Sequence, residues 1–252
     1  MTTLIVGASG ATGSLLVQQL LEKNETVKII IRSASVLRER LPVEIIENSK
    51  LVITEADLLS LTNDELVAQV KDCHVVVSCL GHNLTLKGMF GHPRLLVTNA
   101  VQRLCLAISY CSPQNAPVKF ILMNTTGNQN SLAGEKVSTL QSIIMSFIRV
   151  LLPPHNDNEK AAEYLQNHIR RQNNQIEWVV IRPDSLTDSP TVTEYDIYPS
   201  PIRSAIFDAG KTSRINVAHF MSQLGSNNEL WDKWKSQMPV LYNTPSITRN
   251  RK

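Results

Sequence analysis

Short apolar runs rich in Val and Ile recur along this chain, separated by segments with a helical rhythm. The runs lie at residues 3–6, 27–31, 51–54, 74–79, 119–123 and 177–181. A continuous apolar run, unlike an alternating one, reads as a strand buried on both faces, and so as part of a parallel sheet. Helix-like segments fall between them, at 11–23, 63–70, 93–109, 136–152 and 158–172. The segment 136–152 places Val137, Leu140, Ile143, Ile144, Phe147, Ile148 and Leu151 on one face, and Pro153-Pro154 then stops it. That face predicts packing on the core or against another subunit. Strands alternating with helices predict an α/β class, a Rossmann-type doubly wound parallel sheet with right-handed crossovers. After Pro183 the rhythm weakens. One helix is expected at about 217–224, followed by a polar stretch with no further element.

Composition narrows the function classes. The 252 residues are 42% hydrophobic and 19% charged, ordinary for a globular chain with a sizeable core. The whole length reads as one domain, 1–252. A net charge of +3 without a Lys/Arg stripe gives no reason to expect a nucleic-acid partner. The basic residues Arg249, Arg251 and Lys252 read as a solvated tail. Cys73, Cys79, Cys105 and Cys111 form no C-x-x-C pair and have no nearby His cluster, so free thiols and no metal are expected. The opening residues lack the charge and apolar core of a signal peptide. No run reaches the roughly 18 apolar residues of a membrane span. A cytoplasmic protein without membrane association is the expectation.

The strongest local signal is Gly7-Ala8-Ser9-Gly10-Ala11-Thr12-Gly13, which leaves the first strand and opens the first helix. Gly7 permits a sharp turn. Gly10 clears the approach of backbone to a pyrophosphate, and Gly13 lets helix and sheet pack closely. The helix end offers unpaired N–H groups to phosphates. The second strand then ends in Arg32-Ser33, where an acid would bind a ribose hydroxyl and repel a 2′-phosphate. A guanidinium suits that phosphate, with Ser33 and Arg38 within reach of the same region. The expected cofactor is therefore NADP(H). Asp57, with Leu58 beside it, follows the third strand. It reads either as an acid meeting the adenine or as a helix cap. Cys79, Leu80 and Gly81 close the fourth strand, where a small residue lets backbone pass the cofactor.

The G-x-x-G-x-x-G spacing, Arg32, Gly81, Val97-Thr98-Asn99-Ala100, Asn124-Thr125-Thr126, Arg182-Pro183 and Ala218-His219-Phe220-Met221 together resemble the atypical short-chain dehydrogenases/reductases. The resemblance spans about residues 3–224 and is to the NmrA-like NAD(P)H-binding group, nearest the biliverdin-IXβ reductase/flavin reductase type. It implies cofactor contacts from Thr98, Asn124, Thr125 and Pro183. It also implies a Tyr-x-x-x-Lys acid, which this chain lacks. Lys160 has Asn156 four residues before it, and Asn is no proton donor of adjustable pKa. Lys160 is then a ribose ligand or a surface lysine. Thr126 orients a carbonyl or forms a turn, and His155 is the nearest titratable group. His82 and His92 bracket a Gly88–Gly91 loop that reads as a lid or an ordinary loop. Residues 183–225 should shape the substrate pocket, where Tyr195, Tyr198 and Phe207 read as ordinary packing groups or as aromatics that stack on a planar substrate. Hydride transfer from NADPH to a small planar acceptor accommodates the missing tyrosine, because such an acceptor can take its proton from water. A non-catalytic NADP(H)-sensing regulatory or scaffold protein of the NmrA-like type accommodates it too. Either is expected as a monomer or homodimer.

Overall fold

The computed structural model describes residues 1–82, 93–111, 117–130, 133–135, 153–169 and 174–244. The apolar runs become the strands β1 (Thr2–Val6), β2 (Thr26–Ile31), β3 (Leu51–Glu55), β4 (Val75–Ser78), β5 (Val118–Met123) and β6 (Ile176–Pro183). They pair in the order β3-β2-β1-β4-β5-β6, all parallel. The chain thus winds outward from β1 in one direction and from β4 in the other. The reversal between β1 and β4 opens a crevice at the carboxyl ends of the strands, where ligands bind in such sheets.

Both sheet faces are covered, which is why the runs are continuously apolar. Leu4 and Val6 of β1 point to one core and Ile5 to the other. Phe120 and Leu122 of β5 divide from Ile121 in the same way, as do Trp178 and Val180 of β6 from Val179 and Ile181. The first core is roofed by α4 (Asn63–Val70), α5 (Leu96–Tyr110) and α6 (Pro153–Tyr164). The second is roofed by α1 (Ala11–Glu22), α7 (Arg214–Ser226) and α8 (Asn228–Trp234). Two short helices, α2 (Ala34–Arg38) and α3 (Val43–Ile46), link β2 to β3. Burying a side chain such as Phe120, fully enclosed, contributes about 1.5–3 kcal/mol.

The structure corrects several boundaries. The polar stretch expected after residue 224 instead folds into α8 and a strand, β10 (Val240–Asn243), which lies parallel beside β6. A further strand, β8 (Tyr195–Tyr198), runs antiparallel at that edge. β7 (Ser185–Thr187) and β9 (Lys211–Ser213) form a separate two-stranded sheet. β7 and β9 are three residues long, and Asp196 in β8 and Asn243 in β10 interrupt any continuous apolar run, so none of the four stands out in the sequence. The helix expected at 158–172 starts earlier, at Pro153, and widens into a π segment over Leu165–Ile169. The buried Gln166 there donates to Asn130 Oδ1 at 2.9 Å. The helix expected at 136–152 and the lid with His92 lie outside the described residues.

Candidate functional site

The glycine turn is shaped by close backbone contact. Gly7 has φ +79°, and a Cβ there would sit 2.6 Å from the Cys79 carbonyl. A Cβ on Gly13 would collide with the Gly7 carbonyl oxygen. The turn closes by Gly10 N–H donating to Gly7 O at 3.0 Å. Helix α1 therefore begins hard against β1 and β4. Its N-cap, Gly10, makes no side-chain capping bond, and its first turn carries no acid. Helices α4, α7 and α8, by contrast, are capped by Thr62, Ser213 and Asn227. The α1 end thus presents orphan N–H donors and a positive dipole end to the crevice, the arrangement that receives an anion. Ser9, Ala11 and Thr12 belong to this turn.

The neighbouring strand end supplies cations. Arg32 is exposed immediately after β2, and Arg38 is exposed six residues on. Neither has a carboxylate partner among the described residues. Ser33 shares a 2.7 Å hydrogen bond with Ser35. At the end of β3, Asp57 Oδ1 accepts the Leu59 N–H at 2.9 Å, a local turn bond. The Leu58 side chain belongs to the core, so only its backbone faces the crevice edge. Arg103 from α5 donates to the Leu58, Leu59 and Leu61 carbonyls and ties this loop down. Gly81, after β4, is exposed, and a Cβ there would meet no protein atom within 4 Å. Leu80 packs partly buried against the first core. The Cys79 thiol lies 3.8 Å from Met221 Sδ, and burial pushes its pKa to about 12. It is an inert packing group, as is Cys73, raised by burial to about 11.

The other half of the crevice is built from buried polar groups. Asn124 Nδ2 donates to Asn158 O at 2.8 Å, and its Oδ1 accepts the Thr125 N–H at 2.9 Å. Thr126 N–H donates to the Pro183 carbonyl at 3.2 Å. Thr126 is 7% exposed, and its hydroxyl has no hydrogen-bond partner among the described residues. Lys160 is exposed on α6. His155 is half-buried, with Nε2 3.3 Å from Glu159 Oε1. The Thr98 hydroxyl is engaged by Asp157, a residue the sequence reading passed over. Arg182 has a structural role. It is fully buried, pairs with both oxygens of Glu135, and also donates to Asn128 O and Met238 O. It thereby fastens β6 to the segment after β5 and to the approach to β10.

Not every expected residue converges. Tyr195 meets His219 Nδ1 at 2.8 Å and packs in the second core, on the α7 face. Burial pushes its hydroxyl up to about 12. Tyr198 packs tilted on Tyr242, with ring centroids 5.9 Å apart, and Phe207 is exposed. By contrast, the sheet order gathers Gly7–Gly13, Arg32, Ser33, Asp57, Cys79–Gly81, Asn124–Thr126 and Pro183 along one edge, because parallel strands all end there.

Among the described residues no helix is long and apolar enough to cross a membrane. No curated protein matches the chain by sequence. Solved structures share its fold at low identity. A short-chain dehydrogenase/reductase of the wide type from Veillonella parvula, in complex with NADP, is 17% identical with a TM-score of 0.65. The match covers 98% of this chain and 99% of that one. An anaerobillin reductase from Escherichia coli is 15% identical with a TM-score of 0.64, covering 98% of this chain and 100% of that one. A protein assigned as an NADH-flavin reductase from Streptococcus pneumoniae is 14% identical with a TM-score of 0.64, covering 97% and 100%. The model of the NAD(P)H-binding family matches residues 7–228, from the first glycine of the turn to the start of α8. With that match over most of its length, and with the open glycine-lined helix end to receive a dinucleotide, the chain belongs to the NAD(P)H-binding family.

Proposed function

We propose that this protein is an NADPH-dependent oxidoreductase of the atypical short-chain dehydrogenase/reductase type. It passes hydride to a small planar conjugated acceptor, such as a flavin, a quinone or a linear tetrapyrrole. The observation that carries the cofactor assignment is the pairing of an uncapped α1 with Arg32 and Arg38 beyond the next strand, neither of which has a carboxylate partner among the described residues. The pyrophosphate fits the α1 end, and the 2′-phosphate fits the guanidinium of Arg32, with Ser33 and Arg38 beside it. The NADP complex of the Veillonella parvula neighbour and the names of the two reductase neighbours support the reading.

Bound there, a dihydronicotinamide supplies hydride. The protein's share is orientation and exclusion of water. Asn124, Thr125 and the Pro183 carbonyl shape the floor beneath the ring. The Thr126 hydroxyl, without a partner among the described residues, orients the acceptor or the nicotinamide amide, and Lys160 holds the ribose. Asn156 stands where a proton-donating tyrosine is expected, so the acceptor draws its proton from water or from His155. In this reading residues 183–225 contribute the acceptor pocket, and the protein acts in the cytoplasm as a monomer or homodimer.

The test is direct. Purified protein is mixed with NADPH and a panel of flavins, quinones and linear tetrapyrroles, and the nicotinamide absorbance band is followed. Steady loss of the band with at least one acceptor is expected. Tight NADPH binding with no turnover across the panel would overturn the enzyme reading in favour of a sensor. An unchanged rate and pH profile in His155→Ala would leave water as the proton source.

A further inference from the structure

Asp157 is a fully buried, fully engaged carboxylate at this edge of the sheet, and the function proposed above gives it no role. Its side chain is 0% exposed. Oδ1 accepts the Thr98 N–H at 2.9 Å and the Thr98 hydroxyl at 2.6 Å. Oδ2 accepts the Val97 N–H at 2.7 Å and lies 2.7 Å from His82 Nε2. A carboxylate is stable in the interior only when its lone pairs are met in this way.

The carboxylate serves a helix other than its own. Asp157 sits within α6, yet it finishes the N-terminus of α5, whose cap residue Leu95 makes no side-chain bond. The positive end of that 15-residue helix and a buried anion stabilise each other. Helix capping alone would not need the other two attachments. His82 brings in the exit of β4. The next carbonyl, Asn158 O, accepts from Asn124 at 2.8 Å and from Asn128 at 3.4 Å and brings in the exit of β5. One turn of α6 is therefore fastened to both strand exits and to the start of α5. Lys160 stands one turn further along, and Thr126 lies between the two asparagines in sequence.

We propose that Asp157 is a positioning residue for the nicotinamide half of the dinucleotide site. It touches no ligand. By locking α6 to the β4 exit and to α5, it sets where Lys160 and Thr126 stand relative to Gly81. The adenosine half, built on the α1 turn and on Arg32, makes no direct hydrogen bond to it among the described residues. This inference rests on the dinucleotide reading above.

Titration calorimetry on the full cofactor-free chain separates the halves. Two probes are used: NADPH, and the 2′-phosphorylated ADP-ribose fragment that lacks nicotinamide. Asp157→Asn sets an amide against the donors of Val97 and His82. It should weaken NADPH about ten-fold and the fragment less than about two-fold. Lys160→Ala should weaken NADPH in the unsubstituted chain and add nothing in the Asp157→Asn chain, because coupled residues are non-additive. Equal weakening of both probes would overturn the proposal in favour of a general folding role. Unchanged NADPH affinity would overturn it as well. Should Asp157→Asn fail to fold, Thr98→Val, which removes one donor, carries the same comparison. Its expected NADPH loss is about three-fold with the fragment unaffected, and equal loss or none would sink the idea. If the unsubstituted chain binds neither probe, the dinucleotide reading falls, and this inference with it.

Discussion

Helices α1 and α5 both start at the carboxyl edge of the sheet, after the two strands that flank the crevice, and they are finished in opposite ways. α1 begins on glycine, with no capping side chain and no acid in its first turn. α5 begins on a fully buried carboxylate borrowed from α6. The electrostatic need is the same at both ends, since each offers orphan N–H groups and a positive dipole end. One helix meets that need internally and becomes a rigid joint. The other leaves it open, and in the function proposed above a phosphate meets it. The contrast shows how one structural device yields scaffold or function according to whether the chain supplies its own anion.

Finishing α1 as α5 is finished breaks the contrast most completely. Gly10→Asp places a carboxylate on the open end, where the Cβ meets only the Gly7 carbonyl oxygen, at 3.2 Å. NADPH affinity should fall by more than about a hundred-fold while stability holds or rises by about 0.5 kcal/mol, as expected for an acid at an N-cap. Calorimetry and denaturant unfolding read the two together, and retained NADPH binding would contradict the assignment of the α1 end. The reverse experiment empties α5. Asp157→Ala leaves His82 and Thr98 facing a buried gap and should cost about 3–5 kcal/mol in urea unfolding. A loss below about 1 kcal/mol would show that the joint is not stabilising.

Arg32→Ala sharpens the other side of the comparison, the external anion. It should weaken NADPH about ten-fold or more and leave NADH nearly unchanged, since only NADPH carries the 2′-phosphate. Equal loss for both would remove Arg32 from the phosphate site. A surface cap gives the scale for an ordinary helix end. Thr62 and Glu65 form a reciprocal capping box on α4, and Thr62→Ala should cost about 1 kcal/mol with no change in either cofactor affinity.

The smallest effect lies away from the crevice. His219, beside Tyr195 on the α7 face, has its pKa lowered by burial and then by Lys23. A depressed folded-state pKa adds stability above the ordinary histidine range. That contribution is lost as pH falls through the folded pKa. The melting temperature should therefore fall modestly between about pH 7 and pH 5, and His219→Gln should flatten that slope without altering NADPH affinity. A slope identical in the variant would assign the acid sensitivity to other groups.

Much of this was legible in the sequence. The strands β1 to β6 appear as apolar runs because both of their faces are covered, so no polar alternation interrupts them. The turn appears because its chemistry is local: Gly7 takes φ +79°, and Gly13 touches backbone only six residues back. Arg32 was legible from its place directly after β2. The rest was hidden for particular reasons. β10 carries a polar residue and gains its place by pairing with β6 and β8. Tyr195 had the composition of a pocket aromatic, but its strand sits at the far sheet edge and turns it toward α7. Thr98 matched a family position, yet its hydroxyl is taken by Asp157. Nothing in the local pattern around Asn156-Asp157-Asn158 marks the middle residue as buried.

By itself the sequence determined what short-range physics decides. Periodicity sets the strands and helices, and neighbouring glycines set the tight turn that opens α1. The tertiary structure alone decided which polar groups are spent on one another. Asp157 and Thr98 are 59 residues apart and meet only because the sheet order brings α6 beside α5. A carboxylate on a helix reads as solvated until its surroundings are known, since burial and donors come from other elements. That long-range pairing closes the end of α5, while the turn at Gly7–Gly13 leaves the end of α1 open.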